Sequence, residues 1–204
     1  IKTTEHKNYI KLVYTNADSL RNKLDELKIR IQNAKPKPQV ICITEFKGKN
    51  PGNSQIEMVE YNLEGYNLFH NNDADTCHRG VLIYVDKRIS VMPVNCDLNF
   101  AEYILIKIKV NASDHILIGC IYRSPNSNQT NNDKLLELFD KIQYNNYRSV
   151  VIVGDFNLPD INWKTSSITS VGYSYEFTKK IEDNYLHQLV NEPTRGRAGQ
   201  RSNI

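Results

Sequence analysis

The sequence predicts an α/β domain in which two β-sheets pack face to face, with helices on their outer sides. Three observations predict it. Apolar runs of strand length outnumber segments with helical periodicity, the helical segments lie among the strands, and no repeat or low-complexity linker divides the 204 residues. A chain of this length can build one large core. We therefore interpret residues 1–204 as a single domain.

Nine segments have the pattern of β-strands. Val40–Thr44 and Val150–Val153 are continuous apolar runs, which is typical of strands buried on both faces. The other seven predicted strands cover residues 9–14, 66–70, 81–85, 89–94, 103–110, 116–122 and 186–190. This number of strands favours two packed sheets over a single open one.

Three segments have the periodicity of amphipathic helices. The first is Ser19–Ala34, in which leucine and isoleucine recur at helical spacing. Asp18 or Ser19 is expected to cap its start, and two prolines follow its end. The other two predicted helices cover Leu135–Ile142 and Tyr175–Asn184.

Composition restricts the class of protein only weakly. The net charge of +3 and the pI of about 8.6 permit a polyanionic partner without requiring one. No apolar run approaches the ~18 residues of a membrane span, and the chain starts at Ile1 without an apolar signal core. The four cysteines form no Cys-x-x-Cys pair, which argues against structural zinc. Cys42 and Cys120 lie inside apolar runs, which predicts buried thiols.

Polar side chains follow both buried strands. Val40–Thr44 leads directly into Glu45, and Val150–Val153 leads through one glycine to Asp155 and Asn157. Carboxylates just past the carboxyl ends of core strands are rigidly held at the edge where ligands bind. Such oxygen ligands suit Mg²⁺, which takes one or two carboxylates plus substrate phosphate. The alternative is that Glu45 is a loop acid and Asp155 a turn former.

Two further strand ends carry groups that suit the same chemistry. Tyr122 and Arg123 end a strand before Pro125, and both a tyrosine hydroxyl and an arginine fork can hold a phosphate oxygen. Asn16 lies where the first strand meets the first helix. Taken singly, Tyr122 could be a core residue, Arg123 a surface cation and Asn16 a residue that starts the helix. Four strand ends with one compatible chemistry favour a phosphate-and-metal site.

This ordered set of motifs resembles the endonuclease/exonuclease/phosphatase superfamily. The motifs are Asn16 in TNADSLRNK, Glu45 in ITE, Tyr122 in IYRSPN, and Asp155 and Asn157 in GDFN. Within the superfamily, the pattern is similar to the abasic-endonuclease-like branch. The longer strings VIVGDFNLPDINW, IYRSPNSN, RGVLIYV and NEPTRG resemble the endonuclease domains of jockey-type non-LTR (LINE) retrotransposons more closely still.

The resemblance implies a fold, an activity and partners. The fold would be a four-layer α/β sandwich of two mostly antiparallel sheets flanked by helices. The activity would be that of a Mg²⁺-dependent or Mn²⁺-dependent endonuclease, which nicks double-stranded DNA and leaves a 3′-hydroxyl that primes reverse transcription. The partners would be double-stranded DNA and a covalently linked reverse transcriptase domain. The protein would be monomeric, not membrane-bound, not secreted, and nuclear at its site of action.

The resemblance also implies roles for eight residues. Implied catalytic residues are Asp155, Asn157, Tyr122 and Asn16; implied metal ligands are Glu45, Asn16 and Asp18; implied phosphate or DNA contacts are Tyr122, Arg123, Asn157 and Arg79. Asp155 would orient or deprotonate the attacking water. Asn157 would hold the scissile phosphate, and Tyr122 would hydrogen-bond it.

The sequence departs from the superfamily pattern at one place. Relatives carry a late Asp on a core strand and a terminal Asp-His pair after the NEPTRG region, and these 204 residues contain neither. We therefore expect the last strand or strands to be missing and the chain itself to be weakly active or inactive. Two alternatives stay open: another phosphoesterase of the superfamily, such as an abasic-site repair endonuclease or a small-molecule phosphatase, or a catalytically dead relic that at most binds DNA.

Overall fold

The computed structural model describes residues 9–47, 58–71, 79–163, 167–168 and 171–190. Within this part of the chain there are two four-stranded sheets, one two-stranded hairpin and three α-helices. The chain divides into two compact units. The first comprises Ile1–Asn95, Ala101–Tyr122 and Asn145–Asp155, and the second comprises Cys96–Phe100, Arg123–Tyr144 and Phe156–Ile204. The single-domain interpretation stays a prediction.

The first sheet belongs to the first unit and is mixed. Its strands are β1 (Leu12–Asn16), β2 (Val40–Thr44), β3 (Tyr66–His70) and β4 (Val81–Asp86), in the order β1-β2-β4-β3. β1 and β2 are parallel, while β2–β4 and β3–β4 are antiparallel. The crossover from β1 to β2 contains helix α1 (Leu24–Asn33), as a parallel connection requires.

The second sheet also belongs to the first unit. Its strands are β5 (Val91–Val94), β6 (Tyr103–Lys109), β7 (His115–Tyr122) and β8 (Ser149–Asp155), in that order. Only β7 and β8 run parallel among these pairs. One apolar core contains side chains from both sheets, which therefore pack face to face.

Strand β2 shows how the sequence directs side chains to two cores. Val40 and Cys42 face the core between the sheets, whereas Ile41 and Ile43 face the core that contains Leu24 and other residues of the α1 region. Successive side chains of a strand point to opposite faces, so a strand buried on both sides is apolar throughout. The α/β sandwich that the sequence predicted, with two sheets and interspersed helices, is confirmed.

The second unit contains two helices and a short hairpin. Helix α2 (Gln129–Lys141) begins after Asn128, whose side chain accepts a hydrogen bond from the backbone N–H of Asn131 at 2.9 Å. The hairpin pairs β9 (Ile161–Asn162) with β10 (Ser167–Ile168), and helix α3 is Tyr173–Asp183. An aromatic cluster of Phe139, Phe156 and Phe177, with ring centroids 4.9–6.5 Å apart, joins the two helices.

Several predicted boundaries are wrong. The first helix starts at Leu24 after a 3₁₀ turn at Arg21–Lys23, and neither Asp18 nor Ser19 caps it. Both of those residues have positive φ angles, +42° and +76°, because the chain turns sharply as it leaves β1. The predicted strand at residues 186–190 has no regular structure, and Leu189 is largely exposed there, so no sheet buries its apolar side chain.

The predicted burial of Cys42 and Cys120 is confirmed. Both are fully buried free thiols, on β2 and β7. Burial raises the pKa of Cys120, so this thiol stays protonated at neutral pH. No helix in the described ranges is long and apolar enough to span a membrane.

Candidate active site

The two parallel strand pairs bring four predicted residues to strand ends. In the β1–β2 pair Asn16 lies beside Thr44, and Glu45 follows directly. In the β7–β8 pair Tyr122 lies beside Asp155. Parallel strands end at the same edge of a sheet, so residues at their carboxyl ends are neighbours even when they are far apart in sequence.

One amide nitrogen links the two sheets at this edge. Asn16 Nδ2 donates a hydrogen bond to Glu45 Oε1 at 2.6 Å and another to Asp155 Oδ2 at 2.7 Å. Glu45 is almost completely buried. A buried carboxylate is stable only when donors or cations compensate its charge, and Asn16 supplies a donor to both acids. The structure therefore brings Asn16, Glu45 and Asp155 together, and their roles in metal binding and catalysis stay predictions.

The backbone at these strand ends is in the left-handed region. Glu45 has φ of +53° and Asp18 has φ of +42°, which are uncommon angles for residues other than glycine. Asn16 Oδ1 accepts a hydrogen bond from the backbone N–H of Asp18 at 3.0 Å, which stabilises the turn after β1. Residues held at such angles concentrate at functional sites, where the surrounding structure keeps them in place.

Arg79 lies against the predicted metal ligands. Its Nη1 atom forms an ion pair with Glu45 Oε2, and its Nη2 atom forms another with Asp18 Oδ1. The Arg79 side chain is 16% exposed, while that of Asp18 is 67% exposed. Within the part of the chain that the structure describes, Arg79 Nε is buried and has no hydrogen-bond partner. The guanidinium thus bridges two acids in this structure, and its predicted contact with phosphate stays a prediction.

Glu102 holds the backbone on which Arg79 sits. Its Oε1 atom accepts hydrogen bonds from the backbone N–H groups of Arg79, at 2.9 Å, and Gly80, at 3.2 Å. Gly80 has φ of +70°, and a Cβ atom there would lie 2.3 Å from the Phe46 ring, so only glycine fits. The sequence prediction did not include Glu102. An acidic residue directly before a strand is a weak signal by itself.

Tyr122 is a residue of the core. It is 3% exposed and packs in the cluster between the two sheets. Its backbone N–H donates to the carbonyl oxygen of Glu102 at 2.9 Å. Tyr122 is therefore held in the core at the strand position paired with Asp155, and its predicted hydrogen bond to phosphate stays a prediction.

In the second unit, Arg123 and Asn157 hold each other. Arg123 Nη1 donates to the carbonyl oxygens of Phe156, at 3.2 Å, and Asn157, at 3.1 Å. In return, Asn157 Nδ2 donates to the carbonyl oxygen of Arg123 at 2.7 Å. Asn157 has φ of +49°, so these bonds fix an uncommon backbone conformation. Arg123 is buried, which excludes the alternative of a surface cation.

Two residues that the sequence prediction missed support Arg123. Asn132 Oδ1, on α2, accepts a hydrogen bond from Arg123 Nε at 2.9 Å. The guanidinium also lies over the Tyr173 ring, 4.9 Å from its centroid. Burial raises the pKa of Tyr173, and the Arg123 guanidinium opposes this effect. A buried asparagine at a helical position could have signalled such a partner, but only once Arg123 was known to be buried.

Comparisons with known proteins show which folds this chain resembles. Residues 116–204 match the model of a family described as endonuclease-reverse transcriptase. The endonuclease domain of TRAS1, a telomere-specific non-LTR retrotransposon, is similar in structure, with a TM-score of 0.64 and 16% identity over 95% of this chain and 80% of that one. This chain has the endonuclease/exonuclease/phosphatase fold.

A second solved structure shares this fold. The AP endonuclease LMAP from Leishmania major has a TM-score of 0.64 and 14% identity, over 90% of this chain and 70% of that one. No curated protein sequence matches the chain significantly. The resemblance to the superfamily and to its retrotransposon endonucleases, inferred from the sequence motifs, is confirmed. The NEPTRG motif at residues 191–196 lies outside the described residues.

The acids of this endonuclease fold suit a hard divalent cation. Glu45 and Asp155 accept hydrogen bonds from the same nitrogen atom, so their carboxylate oxygens lie close together. Asn16 donates to both carboxylates, and Arg79 forms an ion pair with Glu45. In the described part of the chain, no group of three or more His, Cys, Asp and Glu side chains is arranged for a metal. Mg²⁺ needs no such group, because it binds through one or two carboxylates and retains several waters. The donor set therefore fits Mg²⁺ or Mn²⁺.

Proposed function

We propose that this chain is a Mg²⁺-dependent or Mn²⁺-dependent endonuclease that hydrolyses phosphodiesters of double-stranded DNA. The observation that carries the proposal is the link from Asn16 Nδ2 to both Glu45 and Asp155. The match to the endonuclease-reverse transcriptase family and the shared fold of the TRAS1 endonuclease domain support it.

The site residues of the first unit have distinct roles in this proposal. Glu45 would hold the cation, with Asn16 and Asp18 beside it, and the bound cation would stabilise negative charge on the phosphate. Asp155 would accept a hydrogen bond from the attacking water, orient it and take its proton. Asn16 would fix the two carboxylates relative to each other, which matters because a small misplacement of a catalytic group is costly.

Further residues would bind the phosphate. The resemblance assigns Tyr122 and Asn157 to hydrogen bonds with the scissile group, and donors aimed at developing charge lower the barrier. Arg123 would act through Asn157, because its own donors bind carbonyl oxygens of that loop. We propose that the product is a nick with a 3′-hydroxyl, made in the nucleus by a retrotransposon polyprotein whose linked domain is a reverse transcriptase.

Nicking of supercoiled plasmid tests the activity. With Mg²⁺ present, we expect relaxation of the plasmid, and we expect Asp155→Asn to abolish it and EDTA to stop it. Asp86→Asn is a matched control, because Asp86 forms its ion pair with Arg88 at the end of β4. Retention of full nicking activity in Asp155→Asn contradicts the proposal.

A second candidate substrate is duplex DNA with an abasic site. It is favoured by the fold shared with the AP endonuclease LMAP. Intact plasmid, an abasic duplex and inositol phosphates should therefore be cleaved side by side at equal enzyme concentration. Faster cleavage of the abasic duplex would favour a repair-type enzyme, and hydrolysis of inositol phosphates alone would favour a phosphatase.

We expect these 204 residues to nick plasmid slowly. The superfamily resemblance implies a terminal Asp-His pair after the NEPTRG region, and these 204 residues do not include it. High enzyme concentrations and long time courses are therefore needed. If plasmid binding persists while no substrate is cut under any condition, the relic alternative is favoured.

A further inference from the structure

Arg79 occupies the carboxylates that the proposed metal site needs. Its two terminal nitrogens pair with Glu45 and Asp18, two of the three residues that the resemblance assigns to metal binding. A guanidinium fork and a hard divalent cation both seek carboxylate oxygens. A cation that binds Glu45 must therefore displace Arg79 or share the carboxylate with it.

When Arg79 is paired with Glu45 and Asp18, not all of its N–H donors have hydrogen-bond acceptors in the described part of the chain. Its Nε atom is buried and has no hydrogen-bond partner among the described residues, although the Nε–H is one of the five N–H donors of the guanidinium. A buried N–H without an acceptor loses its solvation without compensation. A position against a phosphate group, which offers several acceptor oxygens, would satisfy more of these donors. The observed pairing is thus one from which the side chain can be displaced.

The backbone at Arg79 is fixed, so any movement is confined to the side chain. Glu102 accepts hydrogen bonds from the N–H groups of both Arg79 and Gly80, and the Arg79 carbonyl oxygen accepts one from Lys47 at 2.9 Å. Gly80 itself is held close to the Phe46 ring. The long arginine stem can rotate about this anchor while the strand that follows remains in place.

We propose that Arg79 and the divalent cation compete for Glu45. In the metal-free protein the guanidinium holds Glu45 and Asp18 and compensates their charge. Cation binding releases it, and the released fork is then available to a phosphate of the substrate. The inference rests on the proposed function, because it concerns the cation of that site.

Direct metal binding tests the competition without relying on activity. Mg²⁺ and Mn²⁺ are titrated into the wild type, Arg79→Gln and Arg79→Lys, and binding is followed by calorimetry. We expect Arg79→Gln to lower the dissociation constant of the cation about tenfold, which is within the usual range of coupling between two ligands. Arg79→Lys should tighten it less, because lysine keeps the charge but cannot bridge two carboxylates.

Lys23→Gln is the matched control for charge alone. Lys23 Nζ donates to the main-chain carbonyl oxygens of Ala17 and Asp18, so the variant removes a nearby positive charge without removing a competitor for Glu45. We expect its metal affinity to stay within a factor of about two of the wild type, since exposed charges near a site are largely screened. Thermal unfolding provides a second readout: Arg79→Gln should lower the melting temperature in EDTA, and saturating Mg²⁺ should shrink that difference.

The outcomes separate this inference from the proposed function. Unchanged or weaker metal binding in Arg79→Gln overturns the competition. Equal tightening in Lys23→Gln also overturns it, because charge alone would then explain the effect. If Glu45→Gln leaves metal binding intact, the cation does not bind at Glu45, and the proposed metal site itself fails.

Discussion

Glu45, directly after β2 of the first sheet, and Asp155, at the end of β8 in the second, accept hydrogen bonds from the same atom, Asn16 Nδ2, at 2.6 and 2.7 Å. Two carboxylates brought this close repel each other unless a donor or a cation lies between them. In this structure the Asn16 amide donates to both carboxylates, and Arg79 also pairs with Glu45. The site is therefore sensitive to the side chain at position 16, whether or not a metal is bound.

Replacement of Asn16 by alanine should destabilise the protein by about 1–3 kcal/mol in EDTA, because two acceptors lose their shared donor. Urea unfolding measures this, and added Mg²⁺ should recover part of the loss. Gln129→Ala is the control, since Gln129 is an exposed residue of α2 whose side chain donates a hydrogen bond to Asp133. An Asn16→Ala variant as stable as the wild type in EDTA would show that the two hydrogen bonds from Asn16 do not stabilise the fold.

Gly154, directly before Asp155, should not tolerate a side chain. A Cβ atom there would lie 1.9 Å from the backbone carbonyl oxygen of Ile121 on β7, which cannot rotate away. We expect Gly154→Ala to cost about 3 kcal/mol in urea unfolding and to reduce nicking, because the shift would reach Asp155. The matched control is Gly119→Ala, whose Cβ would meet the flexible end of Leu105 at 2.9 Å. Equal costs for the two variants would contradict this explanation.

Asn132 should matter to catalysis although it is a positioning residue. It accepts a hydrogen bond from the buried Arg123, which in turn holds the Asn157 loop. We expect Asn132→Ala to cost about 1.5–3 kcal/mol, as for a hydrogen bond to a charged group, and to lower kcat more than it raises KM. The neighbouring Asn131→Ala, which loses a bond to Ser127, is the control. If both variants slow nicking equally, Arg123 does not act through this contact.

Asp86 should make stability depend on pH. Hydrogen bonds from the Arg88 side chain lower the pKa of Asp86, and burial opposes them. Since the folded pKa lies below the unfolded one, ionised Asp86 stabilises the fold above the unfolded pKa, and this stability is lost as pH falls through the folded pKa. Asp86→Asn should therefore cost about 1 kcal/mol at pH 7, a modest amount because Arg88 is exposed.

The same variant should differ less from the wild type below about pH 4, where the carboxyl group is protonated in the unfolded chain. Urea unfolding at pH 7 and pH 3 measures the change. Asp25→Asn, on the exposed face of α1, should cost less than Asp86→Asn at pH 7, because Asp25 is 92% exposed. A cost of Asp86→Asn that stays constant between the two pH values would exclude this ion pair as its source.

Much of the fold could be predicted from short patterns. The predicted bounds of β2 and β3 agree with the structure. β2 is an apolar run that is buried throughout, as its pattern predicts, whereas β3 carries polar residues and is only partly buried. The start of α1 and the absence of a strand at residues 186–190 could not be predicted. A helix start depends on how the chain leaves β1, and a strand requires a neighbour with which to pair.

The sequence alone determined which chemical groups end each core strand, because alternation, run length and the GDFN and IYRSPN motifs are local properties of the chain. The tertiary structure decided which of those groups meet. Only the parallel pairing of β1 with β2 and of β7 with β8, and the packing of the two sheets, place Asn16 between Glu45 and Asp155. The tertiary structure also paired Arg79 with Glu45 and buried Arg123 against Asn132. Such long-range contacts depend on sheet register and packing, which no short segment of the sequence specifies.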